Sequence, residues 1–513
     1  MSRKKNPESF IHYSTKNSSD SVYGTFCPSD RKHGGKDIYI GTVVDKDNGV
    51  FFHRKFGYHR FTIEGGRQEL SNSEIECSEM VKNAPTPKRP SLILDFGDMW
   101  ILNEALGLSK LRQLFEDICP ANTDTLISLI AFKLLDSAAN SYASEWWEGS
   151  YASLLYPDAR LQSQRISEFL GRLGEEGNLR RSFGRCYEFL SGAALRYNVL
   201  IDSTGLPNDI HFPYTAVNNH NGVISREVRL IMVVDKISGY PLYFKYVAGN
   251  IVDVSTMINV IEELKEFGID IDQSILDAGY YSEGNVKALY SGGIQFLTRL
   301  KSNAKLYKEL AKEHARDLQS SKYAVKYRDR VVMIKCVPVN LFGYDGYAYV
   351  SIDIDRRNAE QRKYLSEALE DKMPSEEIDD KMARLGMFVL ISSQEVATKD
   401  ILPLYYTRQA VEQVFDYCKN DVDLLPLRVH SENTFRGHLL LSFLASITYI
   451  TVNKLMEGSR FCAKGVFHAA RGLKCNVYDN RIIPSVPNKN VNEILRHLKI
   501  KLDQSYDLKS VRS

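Results

Sequence analysis

Asn198-Val-Leu-Ile-Asp-Ser-Thr-Gly205 opens the stretch that decides the fold. A short apolar run ending in an acid and small residues reads as a buried strand and its turn. Val228-Arg-Leu-Ile-Met-Val-Val234 and Leu242-Tyr-Phe-Lys-Tyr-Val247 flank Ser238-Gly-Tyr-Pro241, a turn that should pair them as a hairpin. A helix is expected from Asp253 to Phe267, stopped by Gly268. Strand Gln273-Ser-Ile-Leu-Asp277, a helix from Glu283 to Tyr290 and strand Ile294-Gln-Phe-Leu-Thr298 follow. Strands alternating with helices after an initial hairpin predict a mixed α/β sheet.

Outward from this core the texture changes on both sides. Residues 1–90 read as short strands, with Asp37–Val44 and Gly49–Phe52 forming a hairpin and Ala84–Pro90 a proline-stiffened linker. Residues 91–195 read as a helical domain: Leu102, Leu106, Leu108, Leu111 and Leu114 recur near helical spacing, and further helices are expected at Asp124–Leu135 and Ser163–Leu173. Downstream, 301–395 is rich in strands (Val331–Val337, Tyr347–Ile352, Met387–Ile391) and is expected to form a β-rich insertion domain. Asp400 to Asn420 reads as one helix, followed by an apolar helix after Gly437, so that 396–456 closes the core. The last segment, 457–513, reads as a basic tail, with 11 Lys plus Arg against 5 Asp plus Glu.

Composition excludes several classes. Of 513 residues, 43% are hydrophobic and 25% charged, which is ordinary globular usage and excludes a disordered or collagenous chain. The net charge is only +2, so any nucleic-acid contact must come from local basic segments. Residues 1–90 carry 15 Lys plus Arg against 11 Asp plus Glu, and Phe51-Phe-His-Arg-Lys-Phe-Gly-Tyr-His-Arg60 interleaves aromatics with cations, which suits a DNA contact as well as a solvated strand edge. Eight scattered cysteines without a C-x-x-C pair argue against a zinc ribbon and a disulfide framework. The N-terminus lacks the apolar core of a signal peptide, and the apolar run Leu439–Val452 is too short and polar to span a bilayer. A soluble, intracellular protein without a membrane partner is expected.

Asp202 and Asp277 each end an apolar run, where a carboxylate is costly unless paired or holding a metal. Either one alone could simply cap a turn. The third element is the segment 400–420, where Tyr405, Arg408, Glu412 and Lys419 fall within a stripe about 60° wide at about 100° per residue. Leu404, Val411, Val414, Phe415 and Cys418 form the apolar face beside it. Such a stripe suits a solvated helix face or a phosphate-and-metal site.

The spacing Tyr405-(2)-Arg408-(3)-Glu412-(6)-Lys419 resembles the Y-(2)-R-(3)-E-(6)-K signature of insertion sequence family four transposases, which are DDE enzymes with a ribonuclease-H-like core. Asp202 and Asp277 resemble the first and second acidic motifs of that family. The intervals fit, with 75 residues between Asp202 and Asp277 and 135 between Asp277 and Glu412. The resemblance implies a ribonuclease-H-like mixed-sheet core interrupted by a β-rich insertion and preceded by a helical domain. It implies a transposase that cleaves DNA at terminal inverted repeats and transfers the strand into target DNA. Asp202, Asp277 and Glu412 would be catalytic and would hold two Mg²⁺ or Mn²⁺ ions per active site. Tyr405, Arg408 and Lys419 would bind DNA. The partners would be double-stranded DNA and a second copy of the chain, acting on the DNA of the bacterial cytoplasm. Lys326, Arg328, Arg330 and Lys335 are candidates to line a DNA channel, and one of Phe342, Tyr344 and Tyr347 to stack on a displaced base. A cutting-only nuclease and an idle DNA-binding protein are the competing readings.

Other residues point to structure rather than chemistry. Ser203 with His211 or His220 lacks a G-x-S-x-G elbow, Asp235 reads as a turn former, Asp253 as a helix start, and Trp146 and Trp147 as core or domain-interface aromatics.

Overall fold

The computed structural model describes residues 8–15, 22–29, 36–71, 74, 90–136, 138–191, 196–208, 214–220, 223–251, 256–370, 375–421, 424 and 431–511. The readings placed on Ala84–Arg89, His211 and Asp253 lie outside these residues. The chain divides into two units, Met1–Pro90 and Ser91–Ser513.

The first unit is an antiparallel meander of six strands in chain order: Phe10–Thr15, Val22–Cys27, Ile38–Asp45, Val50–His53, Gly57–Thr62 and Gly66–Glu69 (β1–β6). Its strands are short because turns interrupt them every few residues, as at Asp45, whose carboxylate accepts from the Asp47 and Asn48 N–H groups. Ile40, Phe51 and Phe61 form one small core and Val44, Val50 and Leu70 another. The aromatic-and-cation run Phe51–Arg60 is therefore divided. Phe51 and His59 are buried, while Arg54, Lys55 and Phe56 stay exposed at the β4–β5 turn.

The second unit begins with Leu92–Asp95 (β7) and a set of helices that includes Gly97–Leu108, Leu111–Ile118, Thr123–Leu135, Ser163–Leu173 and Glu176–Ser191. The leucine pattern spans two helices, because Lys110 takes a left-handed φ of 62° and breaks it, leaving Leu108 exposed. Trp147 donates to the Tyr156 carbonyl and Trp146 packs on Phe132, as interior aromatics do.

The remaining strands build a mixed sheet of ten. In chain order they are Tyr197–Pro207, Ala216–His220, Val223–Asp235, Pro241–Ala248, Ile271–Leu276, Gln295–Arg299, Ala324–Tyr327, Arg330–Leu341, Tyr344–Asp353 and Met387–Ser392 (β8–β17). Across the sheet the order is β11-β10-β8-β12-β13-β17-β16-β15-β14, with β9 paired to β10. β8 is antiparallel to β10 and parallel to β12, which is parallel to β13. The hairpin expected around Ser238-Gly239 is β10–β11, and Asp235 accepts from the Ser238 N–H at 2.6 Å as a turn former should. The strands of 301–395 do not stand apart, since β17 pairs with β13 and carries β14–β16 on as an extension of the same sheet.

Helix Glu432–Leu455 lies in the core. It meets the length and composition of a membrane span, but 94% of its apolar window is buried by the rest of the protein. It crosses Ser163–Leu173 backbone to backbone: a Cβ on Gly437 would lie 1.9 Å from the Leu170 carbonyl oxygen, and one on Gly174 1.9 Å from that of Asn433. Only glycine permits this approach.

Residues 457–511 are folded rather than a tail. Lys474–Val477, Arg481–Pro484 and Tyr506–Asp507 (β18–β20) join β7 in a four-stranded sheet. Val466, Phe467, Ile482, Val491, Ile494 and Leu495 are buried there. The basic residues occupy the outer face, and Lys474 pairs with Asp95 at 2.9 Å.

Candidate active site

The parallel pairing of β8 with β12 ends at Ile201 opposite Leu276. Asp202 is the next residue of β8 and Asp277 the first residue after β12, so the sheet itself sets the two acids side by side. Asp202 is nevertheless not at a strand end. β8 continues to Pro207 because β10 is long enough to pair with it from Asp235 to Glu227. The Asp277 backbone is pinned by Thr298, whose hydroxyl donates to the Asp277 carbonyl at 3.1 Å.

Glu412 comes from the segment after β17, which is not a single helix. It runs as Thr398–Tyr406, then Gln409–Asp416, then a π-helical turn Tyr417–Asp421. The break has a local cause: the Thr407 hydroxyl donates to the Leu404 carbonyl at 2.7 Å, and Arg408 N–H bonds Tyr405 O in a tightened turn. Arg408 is the N-cap of the middle helix, and because Thr407 and Arg408 keep helical φ and ψ, Tyr405, Arg408 and Glu412 stay on one side through the tightened turn.

The guanidinium of Arg408 joins the three acids. Nη1 lies 2.8 Å from Asp202 Oδ2 and 3.4 Å from Asp277 Oδ1, and Nη2 lies 3.0 Å from Glu412 Oε1. Asp202 is the most enclosed acid, with 13% of its side chain exposed against 39% for Asp277 and 52% for Glu412. Burial pushes the Asp202 carboxyl up to about 6, with Arg408 pulling it down and the two neighbouring carboxylates adding to the rise. Burial works against the charge on Arg408, but Asp202, Asp277, Tyr405 and Glu412 reverse this and raise its pKa.

Tyr405 keeps its place beside Arg408 but is not solvated. It is buried, burial raises its phenol to about 12, and its ring lies 5.9 Å from the guanidinium carbon of Arg408. Here it braces Arg408 from within. Lys419 reaches a different part of the site: Nζ donates to Thr204 Oγ1 at 2.6 Å and to the Gly205 carbonyl at 3.1 Å. Burial lowers its pKa, and Glu227 acts in the opposite direction.

Sequence reasoning missed Thr204 and Gly205 as anchors, and also the buried pair Glu227–Arg229 (3.7 Å) on β10, whose Arg229 donates to Ser203. The signal was present, because Glu227-Val-Arg229 puts two charges at the head of an apolar run. Among the cations of 301–395, Arg330 and Lys335 are held by Asp353 and Asp317. Lys326 is exposed, and Arg328 at the β14–β15 turn donates to Gln409, the neighbour of Arg408. Among the three aromatics, Tyr344 stacks on Tyr290 at 4.4 Å and Tyr347 is paired within β16. Phe342 sits at the tip of the β15–β16 hairpin, 39% exposed, with its ring 5.9 Å from that of Tyr281.

The three carboxylates are hard oxygen donors of the kind Mg²⁺ and Mn²⁺ take. Among the described residues, however, no three His, Cys, Asp or Glu side chains are gathered closely enough to hold an ion as they stand. They converge on Arg408 instead.

Residues 194–448, just under half of the chain, match the family model described as the transposase DDE domain. No curated protein matches. Among solved structures, the cryo-EM piggyBac transposase synaptic complex with hairpin DNA is similar at 13% identity over 68% of this chain and 70% of that one, with a TM-score of 0.39. The residues similar to that domain include Asp202, Asp277, Arg408, Glu412 and Lys419.

Proposed function

We propose that the chain is a DDE transposase that cuts double-stranded DNA at the terminal inverted repeats of an insertion sequence and joins the freed strand to target DNA. The carrying observation is that Asp202, Asp277 and Glu412, from three separate elements, meet on one guanidinium inside the matched domain. The order β11-β10-β8-β12-β13, with β8 parallel to β12, supports a ribonuclease-H-like reading of the core. Two Mg²⁺ or Mn²⁺ ions, once bound by the three carboxylates, supply an activated oxygen nucleophile and stabilise the leaving oxygen. The chain's own residues do the positioning. Arg408 offers a planar fork that suits a phosphate as well as a carboxylate. Lys419 adds a second cation on the Asp202 strand, and Tyr405 supports Arg408 from the core side. Of the three candidate aromatics we assign the stacking role to Phe342, because it is exposed at the hairpin tip beside Tyr281. A second copy of the chain completes the working unit, acting on the DNA of a bacterial cytoplasm.

The test replaces Asp202, Asp277 and Glu412 with alanine one at a time. Each variant should lose nicking and joining of terminal-repeat DNA in Mg²⁺ or Mn²⁺ while still binding that DNA, because phosphate contacts elsewhere supply most of the affinity. An alanine variant that cleaves like the parent would refute the proposal. Cleavage without joining by the parent protein would reduce it to a nuclease.

A further inference from the structure

One guanidinium brings a single positive charge to three carboxylates: it donates a hydrogen bond to Asp202 and pairs by charge with Asp277 and Glu412, which leaves the cluster under-neutralised. The oxygens it holds, Asp202 Oδ2, Asp277 Oδ1 and Glu412 Oε1, come from the same three side chains that the proposed function assigns to divalent ions. A guanidinium within 2.8–3.4 Å of them and a dication bound to them repel each other. The Arg408 side chain is only 20% exposed, and its backbone is fixed at the junction of two helices.

Resting on that reading of the carboxylates, we propose that Arg408 is an internal counter-cation that competes with divalent ions, and that its transfer to a DNA phosphate frees the carboxylates to bind metal. A phosphate is a suitable exchange partner, because arginine's fork pairs with either anion in the same two-pronged way. Arg328, which reaches Gln409 from the β14–β15 turn, adds positive charge on the rim where that phosphate would arrive. Metal and DNA would then bind cooperatively, and linkage makes the coupling reciprocal. The device keeps the site short of metal until a strand is in place.

The experiment counts Mn²⁺ bound to the full-length protein, from the resonance of the free ion, with and without a duplex lacking terminal repeats. The parent is compared with Arg408→Gln, Arg408→Lys and Asp202→Asn. Without DNA, Arg408→Gln should bind Mn²⁺ about tenfold tighter than the parent, within the usual 5–150-fold range of such couplings. Arg408→Lys, which cannot span three carboxylates, should lie between them. DNA should tighten Mn²⁺ binding by the parent and leave Arg408→Gln unchanged. A folded Arg408→Gln protein that binds Mn²⁺ no tighter than the parent overturns the inference, and if it does not fold, the same result from Arg408→Lys does so. If Asp202→Asn binds Mn²⁺ like the parent, or no variant binds it, the carboxylates are not the metal site and the underlying reading fails instead.

Discussion

Lys419→Met keeps the aliphatic stem and removes the ammonium, which makes it a sharp probe of the part of the site proposed to face DNA. Nζ holds Thr204 Oγ1 at 2.6 Å and the Gly205 carbonyl at 3.1 Å. Thr204 lies two residues beyond Asp202 on the same face of β8, so the lysine ties the strand about 7 Å past the aspartate. Hydrogen bonds to a charged group contribute about 1.5–3 kcal/mol each. Against this stands the cost of holding an ammonium in a half-buried place, visible in the lowering of its pKa by burial. The two effects leave a net loss of stability of about 1–2 kcal/mol. Cleavage should suffer far more. A cation two positions from Asp202 is gone, and a phosphate displaced by about 1 Å costs about 10²-fold in rate. Thermal unfolding and a nicking assay on terminal-repeat DNA measure the two quantities separately. A nicking rate within about twofold of the parent, with the melting temperature still lowered, would show that Lys419 only fastens β8; about twofold is the threshold because a lost transition-state contact is expected to exceed it by a wide margin.

Three further substitutions test other parts of the argument. Gly437→Ala should destabilise the second unit by about 1–3 kcal/mol or more, because its Cβ meets the Leu170 backbone at 1.9 Å and backbone cannot rotate away; urea unfolding reads this directly. Asp98 is buried, and burial raises its carboxyl to about 6. A raised folded-state pKa gives stability that is complete below the unfolded value and lost as pH rises through about 6. Asp98→Asn, still able to accept from Met99 N–H, should therefore gain up to about 3 kcal/mol over the parent at pH 7.5, about half of that at pH 5 and almost none below pH 4, measured from unfolding midpoints. Phe342→Ala should leave the melting temperature unchanged and weaken binding of a DNA end with an unpaired base by about 1–3 kcal/mol, measured by titration against the fully paired duplex.

The core was legible because its strands are buried on both faces and therefore read as short apolar runs with acids just beyond them. The positions of Asp202 and Asp277 follow from that pattern, since pairing of Ile201 with Leu276 sets the next two residues side by side. What misled the reading was distance along the chain. The continuation of β8 past Asp202 depends on β10, and the folding of 457–511 depends on β7, where Lys474 pairs with Asp95 nearly four hundred residues away. A net charge counted over the last segment averaged away Val466, Ile482 and Ile494, which carry its core. The helical wheel kept Tyr405, Arg408 and Glu412 together but could not tell which way they face. Thr407 bonds back to the Leu404 carbonyl and tightens one turn, yet Thr407 and Arg408 keep right-handed helical φ and ψ. Tyr405 and Arg408 therefore stay 5.9 Å apart, and Arg408 pairs with Glu412 one turn on. A wheel orders residues around an axis, but only the packing of that helix on the sheet decides that the stripe turns inward onto Asp202 and Asp277 instead of outward to solvent.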